Sequence, residues 1–121
     1  MEKTTLVLGA SPKPERFSYD AIRSLQKNKI PVIALGRREA DLGDIIIRKG
    51  MPDDIKGVHT VTMYLSAANQ KEYYSFIMSL NPRRIIFNPG TTNPELADLA
   101  SQKGIKVVNQ CMLVMLKKGI F

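Results

Sequence analysis

The residues best suited to chemistry in this 121-residue chain are gathered in short turn-like stretches, and their types suit anions. The first is Gly9-Ala10-Ser11-Pro12-Lys13-Pro14-Glu15-Arg16-Phe17-Ser18. Gly9 permits a tight turn, the hydroxyls of Ser11 and Ser18 can donate hydrogen bonds, and Lys13 and Arg16 add positive charge. A helix starting near Ser18 would aim free N–H groups at the same place, which is phosphate-binding chemistry. The stretch departs from the dinucleotide fingerprint, because Ser11 and Pro14 stand where its second and third glycines belong. The competing reading is a proline-stiffened connection in which Ser18 only caps the helix.

A second stretch, Gly36-Arg37-Arg38, adds discrimination. Folds that bind NAD place an acidic residue at the end of the second strand to hold the ribose hydroxyls, whereas arginine suits a phosphorylated ribose. Both NADP, with its 2′-phosphate, and coenzyme A (CoA), with its 3′-phosphate, meet that requirement, and the pattern does not choose between them. Ser66-Ala67-Ala68 and Asn88-Pro89-Gly90-Thr91 complete the set. Gly90 keeps the main chain accessible, and Asn88 is a candidate ligand contact.

Catalytic chemistry is less well supplied, and no catalytic or metal-binding residue is expected. His59 and Cys111 are the only histidine and the only cysteine. His59 has no carboxylate or cysteine partner at a recognisable spacing. Cys111 stands where a final helix begins, which could lower a thiol pKa, but free cysteine is usually a small buried hydrophobe. Neither Asp53-Asp54 nor Glu95 forms a recognisable acid and base pair.

The elements that must position these stretches alternate between strand and helix. Thr5–Leu8 is a short apolar run ended by Gly9, and Pro31–Leu35 is a second with its proline at the first position. Between them Ala21, Ile22 and Leu25 have helical spacing, with Ser18 as cap and Asn28 near the end. Val58–Leu65 reads as a strand, and Ser66 opens a helix in which Tyr73, Phe76, Ile77 and Leu80 share one face. Asn81-Pro82 stops it. Arg84–Phe87 is a strand, Asn93–Lys103 a helix, Gly104 its C-terminal punctuation, Ile105–Val108 the last strand and Cys111–Lys118 the last helix. In the stretch from Arg37 to Gly57, Ile45–Ile47 fits either an edge strand or a packed loop.

This alternation implies an α/β single domain over residues 1–121. The expected architecture is a Rossmann-like three-layer sandwich, a mostly parallel sheet of about five strands with helices on both faces. In such a sheet the loops after the strands meet where the winding reverses, which brings the four stretches together.

Composition sets the outer bounds. Eighteen Lys and Arg against eleven Asp and Glu give a net charge of +7, which favours an anionic partner. The basic residues form no run, so a nucleic-acid tail is not expected, and no apolar stretch approaches the ~18 residues that cross a bilayer. One cysteine and no recognisable signal peptide fit a reducing cytoplasm.

The stretch from Gly9 to Tyr19 resembles the opening motif of small stand-alone CoA-binding proteins, whose Rossmann-like fold is similar to the CoA-binding domain of the succinyl-CoA synthetase α subunit. The resemblance extends through Leu42-Gly43, Met51–Ile55, Asn93–Ala97, Ala100, Gly104, Val107, Val108 and Cys111. It implies that Gly9, Ala10, Ser11, Pro12, Arg16, Ser18 and Tyr19 surround the pyrophosphate and the start of pantetheine, with Gly36, Arg37 and Arg38 near the phosphorylated ribose. The family often has a proline-rich turn where this chain has Ser66-Ala67-Ala68, and a charged pair where it has Asn109-Gln110. The expected ligand is CoA or a short acyl-CoA, held without catalysis. The rivals are an NADP-dependent oxidoreductase and a nucleic-acid-binding module, and no protein partner is specified.

Overall fold

The structure, a computed structural model, describes residues 2–121. A single seven-stranded sheet holds it together in the order β3-β4-β2-β1-β5-β6-β7. Its strands are β1 (Thr5–Leu8), β2 (Val32–Gly36), β3 (Ala40–Asp41), β4 (Ile46–Lys49), β5 (Thr60–Met63), β6 (Arg84–Phe87) and β7 (Lys106–Val108). All pairings are parallel except β3 with β4. The expected five strands become seven because Arg37–Gly57 supplies two more. Ile47 supplies the reason: its side chain is fully buried against Ala34 of β2, so β4 is a sheet member and the two-residue β3 forms the edge outside it.

The helices are α1 (Phe17–Lys27), α2 (Ala67–Gln70), α3 (Tyr74–Leu80), α4 (Pro94–Gln102) and α5 (Met112–Lys117), with a 3₁₀ turn at Lys71–Tyr73. The long helix expected from Ser66 is therefore broken at that turn, although Ile77 is buried and Tyr73, Phe76 and Leu80 pack on the same core as foreseen. Alternation along β1 sends Leu6 and Leu8 to one face of the sheet and Val7 to the other. The Leu6 face is closed by Ile77, Leu96 and Ala100 from α3 and α4, and the Val7 face by Ala21, Ile22, Leu25, Met112 and Met115 from α1 and α5. These are the three layers expected. β1 is buried along its whole length, as a central parallel strand covered on both sides must be.

Candidate functional site

Chain order places the reversal of winding between β1 and β5: from β1 the chain builds toward β2, β4 and β3, and from β5 toward β6 and β7. The crevice therefore opens between the loops that follow Leu8 and Met63. Gly9–Arg16 forms one wall, Tyr64-Leu65-Ser66 the other, with Gly36-Arg37-Arg38 beside the first and Asn88–Thr91 beside the second. The four stretches singled out from the sequence do share one end of the sheet.

Two of the glycines there are required by the protein's own packing. A Cβ on Gly36 would lie 2.3 Å from the Ala10 carbonyl oxygen, and one on Gly9 would lie 2.9 Å from the Tyr64 carbonyl carbon. Gly9 also has φ +97°, where L side chains are strained. These glycines let neighbouring strand ends approach each other, and the Gly9 and Ala10 N–H groups both donate to the Leu35 carbonyl. Gly90 differs: its φ is +87° but nothing lies within 4 Å of a Cβ built there.

The helix N-termini at this end are treated unequally. The Asn93 side chain caps α4 by accepting from the Leu96 N–H at 3.2 Å, and Asn88 Oδ1 accepts from the Met112 N–H of α5 at 2.9 Å. The N-cap of α1 is Arg16 and that of the short α2 is Ser66, and no side chain caps either helix. Ser18 is not the cap expected from the sequence. It lies inside the first turn and is buried, because Ser18, Ala21, Ile22 and Leu25 form the stripe that faces the sheet. The open N-terminus of α1 stands beside the exposed Lys13 and Arg16, with exposed Arg37 and Arg38 following the adjacent β2. Across the crevice Tyr73 is close enough for the Arg37 charge to oppose the upward shift of its phenol, which comes first from burial and then from Glu72.

A buried amide network stiffens the other wall. Asn88 is 2% exposed, and its Nδ2 donates to Thr62 Oγ1 at 2.8 Å and to the Met63 carbonyl at 2.9 Å. With Oδ1 on Met112, the side chain is fully occupied by the protein, so a ligand would meet this loop through its main chain. Gln70 is fully buried and donates to the carbonyls of Leu65 and Thr91, at 2.8 and 2.7 Å. Asn93 Nδ2 donates to Gln70 Oε1 and to the Tyr74 hydroxyl. Sequence reasoning missed Gln70 and Tyr74, and named Thr91 only as a member of its loop. The available signal was the polar run Asn88, Thr91 and Asn93 between a strand and a helix, whose amides must find partners when buried.

Cys111 is half-buried and N-caps α5 at the same end of the sheet, on the side of Tyr64. The Tyr64 hydroxyl is buried without a well-formed hydrogen bond, and that burial raises its pKa against the opposing effect of nearby Thr62. His59 precedes β5 at the opposite end, with Nδ1 2.8 Å from Thr60 Oγ1. Among the described residues no group of His, Cys, Asp and Glu is arranged to hold a metal ion.

Comparison with protein families matches residues 3–117 to the CoA binding domain. The chain belongs to the CoA-binding domain family. A crystal structure of an uncharacterized protein is 42% identical to this CoA-binding domain, superposes with a TM-score of 0.95, and the match covers 100% of this chain and 99% of that one. A Thermus thermophilus protein (22% identity, TM-score 0.88, 99% and 91% covered) and a hypothetical protein from Pyrococcus horikoshii OT3 (24%, 0.84, 97% and 83%) share the fold. No curated protein matches. No described helix is long and apolar enough to cross a membrane.

Proposed function

We propose that this protein binds CoA, or a short acyl-CoA, in the cytoplasm and does not turn it over. One observation carries the reading. The fold supplies an asparagine acceptor to the N-termini of α4 and α5 and leaves those of α1 and the four-residue α2 uncapped, and it is α1 that stands beside Lys13, Arg16, Arg37 and Arg38. An uncapped helix N-terminus ringed by cations stabilises a pyrophosphate through its N–H groups and its partial positive charge. In this assignment the Ser11 N–H, the first turn of α1 with Ser18 and Tyr19, and Arg16 meet the pyrophosphate, while Gly9 and Ala10, whose N–H groups are taken by the Leu35 carbonyl, and Pro12 shape the turn that brings them there. Arg37 and Arg38, next to Gly36, meet the phosphorylated ribose, and Ser66 with the Gly90 main chain follows pantetheine.

The absence of turnover rests on separation. Thioester chemistry needs a nucleophile or water, a base and donors for the developing oxyanion within reach of one another. Cys111 follows β7 at the carboxyl end of the sheet and His59 precedes β5 at the amino end, so the length of a strand, about 13 Å for four residues, lies between them. Native mass spectrometry of freshly purified protein tests the ligand assignment. A bound mass of CoA or an acyl-CoA supports it, and a bound mass of NADP replaces it with the oxidoreductase reading.

A further inference from the structure

The net charge of +7 does not reside at the candidate nucleotide site. Because β1, β2, β5, β6 and β7 run parallel, their first residues and the last turns of the returning helices share the opposite end of the sheet. Segments 2–4, 27–31, 55–59, 81–84, 103–106 and 117–121 meet there. They hold ten of the eighteen Lys and Arg, among them Lys29, Lys56, Arg83, Lys103, Lys106 and Lys118, and a single carboxylate, Glu2. The other eight Lys and Arg share the remaining ten Asp and Glu, so one pole carries +9 and the rest of the protein −2.

The two salt bridges, Arg23–Asp44 and Arg48–Asp54, pair their carboxylates with cations outside those segments, and Asp44 alone of these lines a cavity with Lys29, Ile30 and Pro31. Cations near helix C-termini complement the helix dipole, which accounts for Lys27, Lys103, Lys117 and Lys118. It leaves Lys29, Lys56, Arg83 and Lys106 without a structural use for their charge, and Arg84 with the Phe121 ring in place of a counter-charge. Arg84 is only 9% exposed. Its Nε donates to Thr60 Oγ1, its guanidinium lies 4.4 Å from the centre of the Phe121 ring, and Nη2 has no partner. A buried cation without a counter-charge is costly, and carboxylates brought close to it would lower that cost.

We infer that this basic pole is a docking surface for an acidic protein. Seven of its eight exposed cations are lysines, point charges without the bidentate fork that favours arginine at phosphates. Phe121 is the only Phe, Tyr or Trp in these segments and stacks on Arg84, which leaves no free platform for a nucleic-acid base. Ile120, 55% exposed, stands next to Lys117 and Lys118 with half-buried Phe121 beside it. An apolar centre inside a charged rim is the anatomy of a protein interface.

The probe is poly-L-glutamate, with a short duplex DNA and phosphatidylserine vesicles as comparisons, at low and high salt. Binding of poly-L-glutamate at low salt is expected to weaken about tenfold in Lys103→Glu/Lys106→Glu, the sum of two lost and two reversed exposed pairs. It should persist in Lys49→Glu/Lys71→Glu, which changes net charge equally away from this pole. CoA binding of Lys103→Glu/Lys106→Glu should equal that of wild type. His59, whose pKa is lowered by burial and then by Arg84, Lys3 and Arg83, should shift upward by NMR when the probe binds. Equal losses in the two double variants overturn the assignment, as does failure to bind at low salt or tighter binding of DNA or vesicles at matched charge.

Discussion

Replacing Asn88 with alanine tests whether the loop after β6 is held by its side chain or only lies near a ligand. The substitution removes three hydrogen bonds, to Thr62 Oγ1 (2.8 Å), the Met63 carbonyl (2.9 Å) and the Met112 N–H (2.9 Å), all buried. At a net ~1 kcal/mol for each bond, with some further cost for the Met112 N–H left unsatisfied, the loss is about 3–4 kcal/mol. Against the 5–15 kcal/mol typical of domains this is a large fraction of stability. Asn88→Asp should fall between wild type and alanine, because its carboxylate still accepts from Met112 at the start of α5 but repels the Met63 carbonyl. Urea unfolding followed by circular dichroism measures both, and CoA titration of the folded variants accompanies it. A loss under about 1 kcal/mol in Asn88→Ala, combined with abolished CoA binding, would refute the positioning role and restore Asn88 as a direct ligand contact.

Gly36→Ala is expected to destabilise by about 1–3 kcal/mol, the usual cost of overpacking, since its Cβ would collide with the Ala10 carbonyl; an unchanged urea midpoint contradicts the close approach of β1 and β2. Tyr64→Phe should raise stability by up to about 1 kcal/mol, because it removes a buried hydroxyl without a well-formed hydrogen bond, and a measured loss would mean that nearby Thr62 is a true partner. The His59 pKa is lowered by burial and neighbouring cations, so the unfolded chain binds more protons than the folded one. Its share of stability is complete above its ordinary value of about 6.5 and declines as pH falls through the lowered one. The urea midpoint should therefore fall between pH 7.5 and 5, less so in His59→Gln; equal slopes in the two proteins would remove His59 as the cause.

The sheet was legible where apolar runs were short and bounded by Gly or Pro, as at Thr5–Leu8 and Arg84–Phe87, because a strand buried on both faces is a continuous apolar run. It was not legible between Arg37 and Gly57, where β3 has two residues and β4 buries only Ile47, too little for a periodicity to show. The site stretches were placed correctly at one end by the alternation of elements. Their individual roles were less readable: Ser18 looks like a cap until the buried stripe of α1 assigns it inward, and Asn88 looks like a ligand contact until its three protein partners are seen. Where the +7 sits was not legible for the same reason, since composition counts charges without locating them.

Calorimetric titration with CoA, dephospho-CoA and NADP, at one salt concentration and on wild type and Arg37→Ala/Arg38→Ala, tests the central claim most directly. The account predicts that CoA binds more tightly than NADP and that the double variant loses about 1.5–3 kcal/mol for CoA, the range for hydrogen bonds to a charged group, with little change for dephospho-CoA. NADP binding as tightly as CoA, or equal losses for CoA and dephospho-CoA, would contradict it.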